Sequence, residues 1–211
     1  MSRVRGFISF EGIEGSGKST QIKLLAAYLR DKGHTVIETV EPGGTGIGNK
    51  IRALLLEPGN HMDPLTELLL YYSARAQHVR EVIYPAVLRN SIVLTDRFTD
   101  STMAYQGHAR GIDLSLIETL NEMVVPDMKP FLTFLLDLDV EEGLRRNREA
   151  LKTDRFEQET VDFHNLVRQG FHQIAREEPE RVKVVDASKS REEVSGAIIR
   201  ILEETWRSKI S

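Results

Sequence analysis

The run Gly12-Ile13-Glu14-Gly15-Ser16-Gly17-Lys18-Ser19 has the residue types that bind nucleotide phosphates. It matches G-x-x-x-x-G-K-[ST], in which glycines let successive backbone N–H groups turn toward a phosphate. Lys18 would reach the β- and γ-phosphates, and the Ser19 hydroxyl would hold Mg²⁺. An apolar stretch precedes the run at 7–10 and an amphipathic helical pattern follows it, which is the context that this motif requires. We therefore predict a nucleoside-triphosphate site.

Asp96 and Arg97 follow a short apolar run at 91–95. Taken alone, this dipeptide is equally typical of a structural ion pair. An acid at the carboxyl end of a parallel strand, beside a phosphate loop, is placed to hold or orient Mg²⁺. Arg97 would then be free to bind the phosphate of an acceptor as a bidentate donor.

The segment Glu41-Pro42-Gly43-Gly44-Thr45-Gly46 follows the second predicted strand. Proline and glycine are typical of an ordinary turn, but ligands bind at this edge of an open α/β sheet. Arg52 is a charge on an otherwise apolar helical pattern, so it either extends to solvent or binds an anion. We favour the anion, because a second phosphate site should lie near this loop.

Tyr71 and Arg75 stand four residues apart on a long helical pattern, so one helix face presents an aromatic ring and a forked donor. Aromatic residues at this spacing are more often part of a core than of a ligand site. A second basic run, from Arg145 to Arg155, has almost no apolar anchors. It is typical either of a solvated helix face or of the basic lid of a phosphoryl-transfer enzyme.

Short β-branched runs alternate with helical patterns, which predicts a parallel sheet with helices on both faces. We expect strands at about 7–11, 35–40, 91–95, 131–137 and 181–186. We expect helices at about 19–32, 46–57, 64–88, 114–125, 140–150, 158–177 and 191–207. The fold class is therefore α/β, in one domain spanning 1–211.

The composition narrows the function classes. The chain has 211 residues, a net charge of −4 and no cysteine. This charge argues against a nucleic-acid partner, and the lack of cysteine excludes disulfides, thiol catalysis and thiolate metal sites. No apolar stretch is long enough for a signal peptide or a membrane span, so we expect a cytoplasmic enzyme with no membrane partner.

Taken together, these motifs resemble those of the bacterial thymidylate kinases, within the P-loop nucleoside monophosphate kinases, over essentially the whole chain. The resemblance rests on Phe10 to Thr20, Glu41 to Thr45, Leu70 to Arg75, Asp96 to Phe98 with Ser101 to Gly107, and Asp154 to Glu157. It implies a P-loop NTPase fold, a three-layer α/β/α sandwich with five parallel strands and a mobile basic lid at about 145–157.

The resemblance also implies roles for single residues. ATP would be bound by Gly12 to Thr20, with Lys18 on its phosphates, and Mg²⁺ by Ser19 and Asp96. Glu14 would contact the acceptor sugar or metal-bound water. Residues assigned to dTMP share the acceptor side of the cleft: Glu41, Pro42, Arg52, Tyr71, Arg75, Arg97, Thr102, Tyr105 and Gln106. Among these, Arg52 and Arg97 would hold the phosphate, Tyr71 would stack on thymine, Arg75 would bind a base carbonyl, and Tyr105 would exclude a 2′-hydroxyl.

Departures from the family pattern concern the catalytic cations. At Gly15 one subclass of the family carries an arginine, so this chain resembles the other subclass, in which the lid supplies that charge. The lid position at which some relatives keep the arginine is Ala150 here, which leaves Arg148, Lys152 and Arg155 as alternatives. Phe98 replaces a common tyrosine or histidine.

The predicted reaction is ATP + dTMP → ADP + dTDP, with Mg²⁺, in a homodimeric enzyme of dTTP synthesis. Lys18, Arg97, Glu14 and the lid cations would be catalytic. The alternatives are a P-loop kinase for another small acceptor and a nucleotide-gated switch NTPase.

Overall fold

The structure, a computed structural model, describes residues 3–149 and 155–208. At its centre is a parallel sheet of five strands in the order β2-β3-β1-β4-β5. The strands are β1 (Arg3–Glu11), β2 (Val36–Val40), β3 (Ile92–Asp96), β4 (Lys129–Asp137) and β5 (Val182–Asp186).

Helices follow each strand in the described chain. They are α1 (Lys18–Asp31), α2 (Gly46–Leu56), α3 (Pro64–His78), α4 (Tyr84–Leu88), α5 (Thr99–Thr102), α6 (Leu114–Val124), α7 (Val140–Glu149), α8 (Val161–Glu177) and α9 (Arg191–Ser208). Two π-helical segments, Val79–Ile83 and Met103–Ala109, and a 3₁₀ turn, Arg155–Gln158, join some of them. None of the helices in these ranges is both long enough and apolar enough to cross a membrane.

Both faces of the sheet are covered, which explains why its central strands are nearly continuous in apolar residues. Ile8 and Leu94 belong to a buried cluster that includes Leu25 of α1, whereas Phe7 belongs to a separate cluster with Ile83. Helices thus pack on the two sides of the sheet. The predicted three-layer α/β/α fold is confirmed.

The strand register brings the functional loops to one edge. Phe10 of β1 lies beside Asp96 of β3 and Phe134 of β4, and Val40 of β2 also lies beside Asp96. Because the strands are parallel, their carboxyl ends meet at this edge, where open α/β sheets bind ligands.

The predicted helix 64–88 is interrupted. The π-helical segment Val79–Ile83 separates α3 from α4 and ends two residues before Pro85. Proline has no N–H to donate to the preceding turn, and a π-helical turn accommodates that loss. The helical stretch 99–109 was not predicted, because a four-residue helix followed by a π-helical segment has no regular 3.6-residue period.

Candidate active site

A cleft of about 330 Å³ opens at the carboxyl edge of the sheet. Most of the predicted site residues line this cleft. Those lining it are Glu14, Gly15, Gly17, Lys18, Ser19, Thr20, Glu41, Pro42, Arg52, Tyr71, Arg75, Asp96, Arg97, Thr102, Tyr105 and Gln106. The predicted loop residues Gly12, Ile13 and Ser16 are buried and do not line the cleft. Among these predicted residues, the fold unites positions up to 92 apart in sequence, from Glu14 to Gln106.

The phosphate loop leads directly into α1. Lys18, the first residue of α1, donates from Nζ to the carbonyl oxygens of Gly12 at 3.0 Å and Ile13 at 2.8 Å. Burial lowers the pKa of Lys18 to about 8, and the charge of Arg97 adds to this effect while Asp96 opposes it. A buried ammonium beside a loop and a helix N-terminus is suited to bind an anion.

Gly15 makes the closest contact between the loop and another element. Its φ is +71°, and a Cβ there would lie 2.1 Å from the carbonyl oxygen of Gly143 in α7. A Cβ on Gly143 would likewise lie 2.6 Å from the carbonyl oxygen of Glu14. The α7 backbone therefore lies directly on the loop, and this packing leaves no room for an arginine at Gly15.

Ser19 and Asp96 offer oxygen ligands side by side. The Ser19 hydroxyl donates to Asp96 Oδ2 at 2.6 Å, and both residues line the cleft. Hydroxyl and carboxylate oxygens are the ligands that Mg²⁺ prefers. This donor set fits the predicted metal.

Arg97 stands at the centre of a polar network. Its Nη2 donates to Glu14 Oε1 at 2.9 Å and to the Tyr105 hydroxyl at 3.1 Å, and that hydroxyl donates to Glu14 at 2.8 Å. Burial opposes ionisation of Glu14, but Arg97 and His164 hold the pKa of this carboxyl well below its usual range. The network fixes a positive group beside the phosphate loop.

Arg97 also has a backbone φ of +71°, a region that L-residues rarely adopt. Such a conformation costs on the order of 1–3 kcal/mol and persists only where the surroundings hold it. The Arg97 N–H donates to the Phe10 carbonyl at 2.9 Å, and the next N–H, of Phe98, donates to Glu11 Oε1 at 2.8 Å.

Glu11 is a functional candidate that the sequence analysis did not identify. It is fully buried, and its Oε2 accepts from the Ser101 hydroxyl at 2.5 Å. Burial and the nearby charge of Asp100 raise the pKa of Glu11 to about 7. In the sequence Glu11 is only the last residue of a strand pattern, and its partners lie about ninety positions away.

The far end of the cleft is formed by Arg75, which is 2% exposed. Its Nε donates to Glu41 at 2.7 Å, and its Nη2 donates to Thr102 Oγ1 at 2.9 Å. Within the described chain its Nη1 is buried and has no hydrogen-bond partner. Burial opposes ionisation of Glu41, but Arg75 and His78 lower the pKa of this carboxyl. Arg75 is thus held in place as a cation with one guanidinium nitrogen unused.

The remaining acceptor-side residues differ in how they are held. Arg52 donates from Nη1 to the Pro42 carbonyl at 2.8 Å. This bond links α2, which carries Arg52, to the loop that follows β2. Gln106 donates its amide to Glu67 at 2.7 Å. Tyr71 is partly buried against the main core cluster and lines the cleft. Each of these predicted residues therefore lies where a ligand could reach it.

Of the predicted lid cations, the structure describes Arg148 and Arg155, and neither of them lines the cleft. Arg155 donates to the Leu55 carbonyl at 3.0 Å and to Glu67 at 2.6 Å, and it does not line the cleft. Arg148 is exposed at the end of α7. Lys152, like Ala150, lies outside the described residues, so the catalytic role of the lid stays a prediction.

Two further residues of α7, Arg146 and Asn147, line the cleft and were not identified from sequence. Arg146 donates to Glu142 at 2.7 Å and to the carbonyl of Ala187 at 3.2 Å. The sequence placed Arg146 in the basic run, but only the contact of α7 with the loop shows which side of that helix faces the cleft.

Comparisons with known proteins agree with this geometry. A family model described as thymidylate kinase matches residues 10–198. The thymidylate kinase of Syntrophotalea carbinolica is 55% identical over 195 residues, covering 89% of this chain and 90% of the relative. That of Halothermothrix orenii is 53% identical over 191 residues, covering 89% and 91%. The crystal structure of thymidylate kinase from Ehrlichia chaffeensis has a TM-score of 0.78 at 38% identity, covering 93% of this chain and 97% of that one.

Proposed function

Because the chain belongs to the thymidylate kinase family, we propose that it transfers the γ-phosphoryl group of ATP to dTMP, giving ADP and dTDP for dTTP synthesis. One observation carries the proposal: a single cleft joins a phosphate loop to a second cationic group and to a buried, unpaired guanidinium nitrogen. We assign the donor triphosphate to the phosphate loop and the acceptor nucleotide to the part of the cleft from Arg97 to Arg75.

The donor side is formed by the phosphate loop. Backbone N–H groups and Lys18 would surround the β- and γ-phosphates, whose oxygens can replace the carbonyls that Lys18 now contacts. Ser19 and Asp96 would hold Mg²⁺. When bound, this ion neutralises charge that develops on the phosphates.

The acceptor side extends from Arg97 to Arg75. Arg97 and Arg52 would hold the phosphate of dTMP as charge-assisted donors. Tyr71 would stack on the base. The unpaired Nη1 of Arg75 supports a hydrogen bond to a base carbonyl, since a buried donor without a partner costs about 1–3 kcal/mol. Thymine offers such a carbonyl, whereas cytosine has an amino group at the corresponding position.

The chemistry requires no strong general base. An ionised phosphate oxygen of dTMP forms the new bond to the γ-phosphorus, while the bond from that phosphorus to the β–γ bridging oxygen breaks and ADP leaves. Lys18 and Arg97 hold the two nucleotides in line and compensate charge in the loose transition state. Arg148, Lys152 and Arg155 remain the proposed lid cations.

Thermal unfolding with single nucleotides tests the proposal. A ligand that binds the native state at 100 times its Kd stabilises it by about 2.7 kcal/mol, so dTMP alone should raise the Tm. ADP alone is the control for the donor site. A shift with ADP but none with dTMP would favour a switch NTPase.

A coupled assay of ADP formation over dTMP, dUMP, dCMP and the ribose analogue of dTMP then identifies the acceptor. We expect dTMP to have the highest kcat/KM. A higher value for another acceptor would establish the alternative kinase instead.

A further inference from the structure

Arg97 depends on a buried carboxylate, that of Glu11, which does not line the cleft. Its Nη1 donates to the Ser101 hydroxyl at 3.0 Å, and that hydroxyl donates its only hydrogen to Glu11 Oε2 at 2.5 Å. Arg97 must be the donor to Ser101, because a guanidinium can only donate, and the Ser101 hydroxyl donates to Glu11 when that carboxyl is ionised. Glu11, Ser101 and Arg97 thus form an ordered relay.

Glu11 also holds the backbone that carries Arg97. Its second oxygen accepts the Phe98 N–H at 2.8 Å, directly after the residue whose φ is +71°. Two contacts from one side chain therefore fix the position of Arg97, one through the main chain and one through Ser101. Glu11 is 0% exposed and is therefore shielded from water, whereas Ser101, 8% exposed, lines the cleft.

We propose that Glu11 is a positioning residue that orients Arg97 toward the acceptor phosphate through Ser101 and the Phe98 amide. The inference rests on the proposed function, in which Arg97 binds that phosphate. It assigns to the last residue of β1 a role in acceptor binding, although Glu11 directly precedes the phosphate loop of the donor in sequence.

Glu11→Gln tests the relay with little change of shape. Its amide nitrogen must face either the Phe98 N–H or the Ser101 hydroxyl, so one donor loses its acceptor. Losing a charge-assisted contact of this kind predicts a rise of about 10-fold or more in the KM for dTMP. The KM for ATP should change less than about 2-fold, because the contacts of Lys18 are retained. A purely structural role would lower the Tm and affect both KM values alike.

Ser101→Ala and the double variant provide the second measurement. If the relay acts as a unit, the double variant should have nearly the dTMP KM of Glu11→Gln alone, since coupled residues are not additive. Ser9→Ala is the matched control: Ser9 is a fully buried hydroxyl on β1 that bonds Thr133 at 2.7 Å, outside the relay. Should Glu11→Gln fail to fold, Ser101→Ala must still raise the dTMP KM selectively.

An unchanged dTMP KM in folded Ser101→Ala or Glu11→Gln, or fully additive effects in the double variant, would overturn the inference. Turnover of dTMP by the parent in the same assay tests the proposed function separately. A parent without that activity rejects the function, whereas an active parent with unaffected variants rejects only the relay.

Discussion

At the scale of single residues, Tyr105 has a ring and a hydroxyl with separate tasks. The ring is 5% exposed and lies edge-on to Phe156 at 5.5 Å, whereas the hydroxyl bonds both Glu14 and Arg97. A ring packed below the acceptor sugar would leave no volume for a 2′-hydroxyl. The hydroxyl instead stabilises the network that presents Arg97.

Two substitutions separate these tasks. In the parent, an unsatisfied buried 2′-hydroxyl should give a preference of roughly 5- to 150-fold for dTMP over its ribose analogue. Tyr105→Ala should reduce this preference. Tyr105→Phe should keep that preference and raise the KM for both acceptors. The measurement is kcat/KM for the two acceptors in parent and variants. Equal ratios in the parent and Tyr105→Ala would place Tyr105 in the scaffold.

The residues that sequence could identify are those whose chemistry is visible within a short motif. Lys18 and Ser19 are defined by their own loop, and Arg97 by the strand end before it. Glu11 is not, because its importance arises from contacts with residues about ninety positions away. Arg155 shows the converse: its charge fits a lid, but a buried partner, Glu67, holds it elsewhere in this structure.

At the scale of elements, the contact between α7 and the phosphate loop couples the start of the lid region to the donor site. Gly143 permits this contact, and α7 also carries Arg146 and Asn147 into the cleft. The chain therefore positions one wall of the cleft by backbone packing, with glycine on both sides of the contact. Periodicity predicted α7 itself but could not predict which element it touches.

Gly143→Ala should displace α7 from the loop, since its Cβ would lie 2.6 Å from the Glu14 carbonyl and 2.9 Å from Ile13 Cδ1. A displacement of about 1 Å near reacting groups can cost about 100-fold in rate, so we expect a marked loss of kcat. Gly196→Ala in α9 is the matched control, because no atom lies within 4 Å of the added Cβ. A Gly143→Ala enzyme with the parent's kcat would show that this packing is dispensable.

At the scale of the whole molecule, the alternation of strand and helix patterns was sufficient to predict the sheet and its two helical layers. The strand order was not predictable from those patterns, because it depends on which neighbours each crossover reaches. The helical stretch 99–109, which carries Tyr105 and Gln106, was also absent from the prediction. The cleft thus depends in part on an element with no regular period.

The expected homodimer is the last whole-molecule property that can be tested. Helices α2 and α3 pack beside each other, and both expose large apolar side chains, including Leu54 at 51% and Leu69 at 47%. Exposed apolar side chains on adjacent elements are typical of a protein interface. We therefore expect the parent to sediment at twice its chain mass of 23.9 kDa.

Leu54→Asp combined with Leu69→Asp should convert the dimer to monomers, because a carboxylate buried at an apolar interface loses its hydration without gaining a partner. Val184→Asp is the control, since Val184 is also 47% exposed but lies on β5, at the opposite edge of the sheet from β2, the strand that α2 follows. Sedimentation equilibrium of the three proteins measures the effect. A monomeric parent would reject the dimer, and a double variant that remains dimeric would move the interface away from α2 and α3.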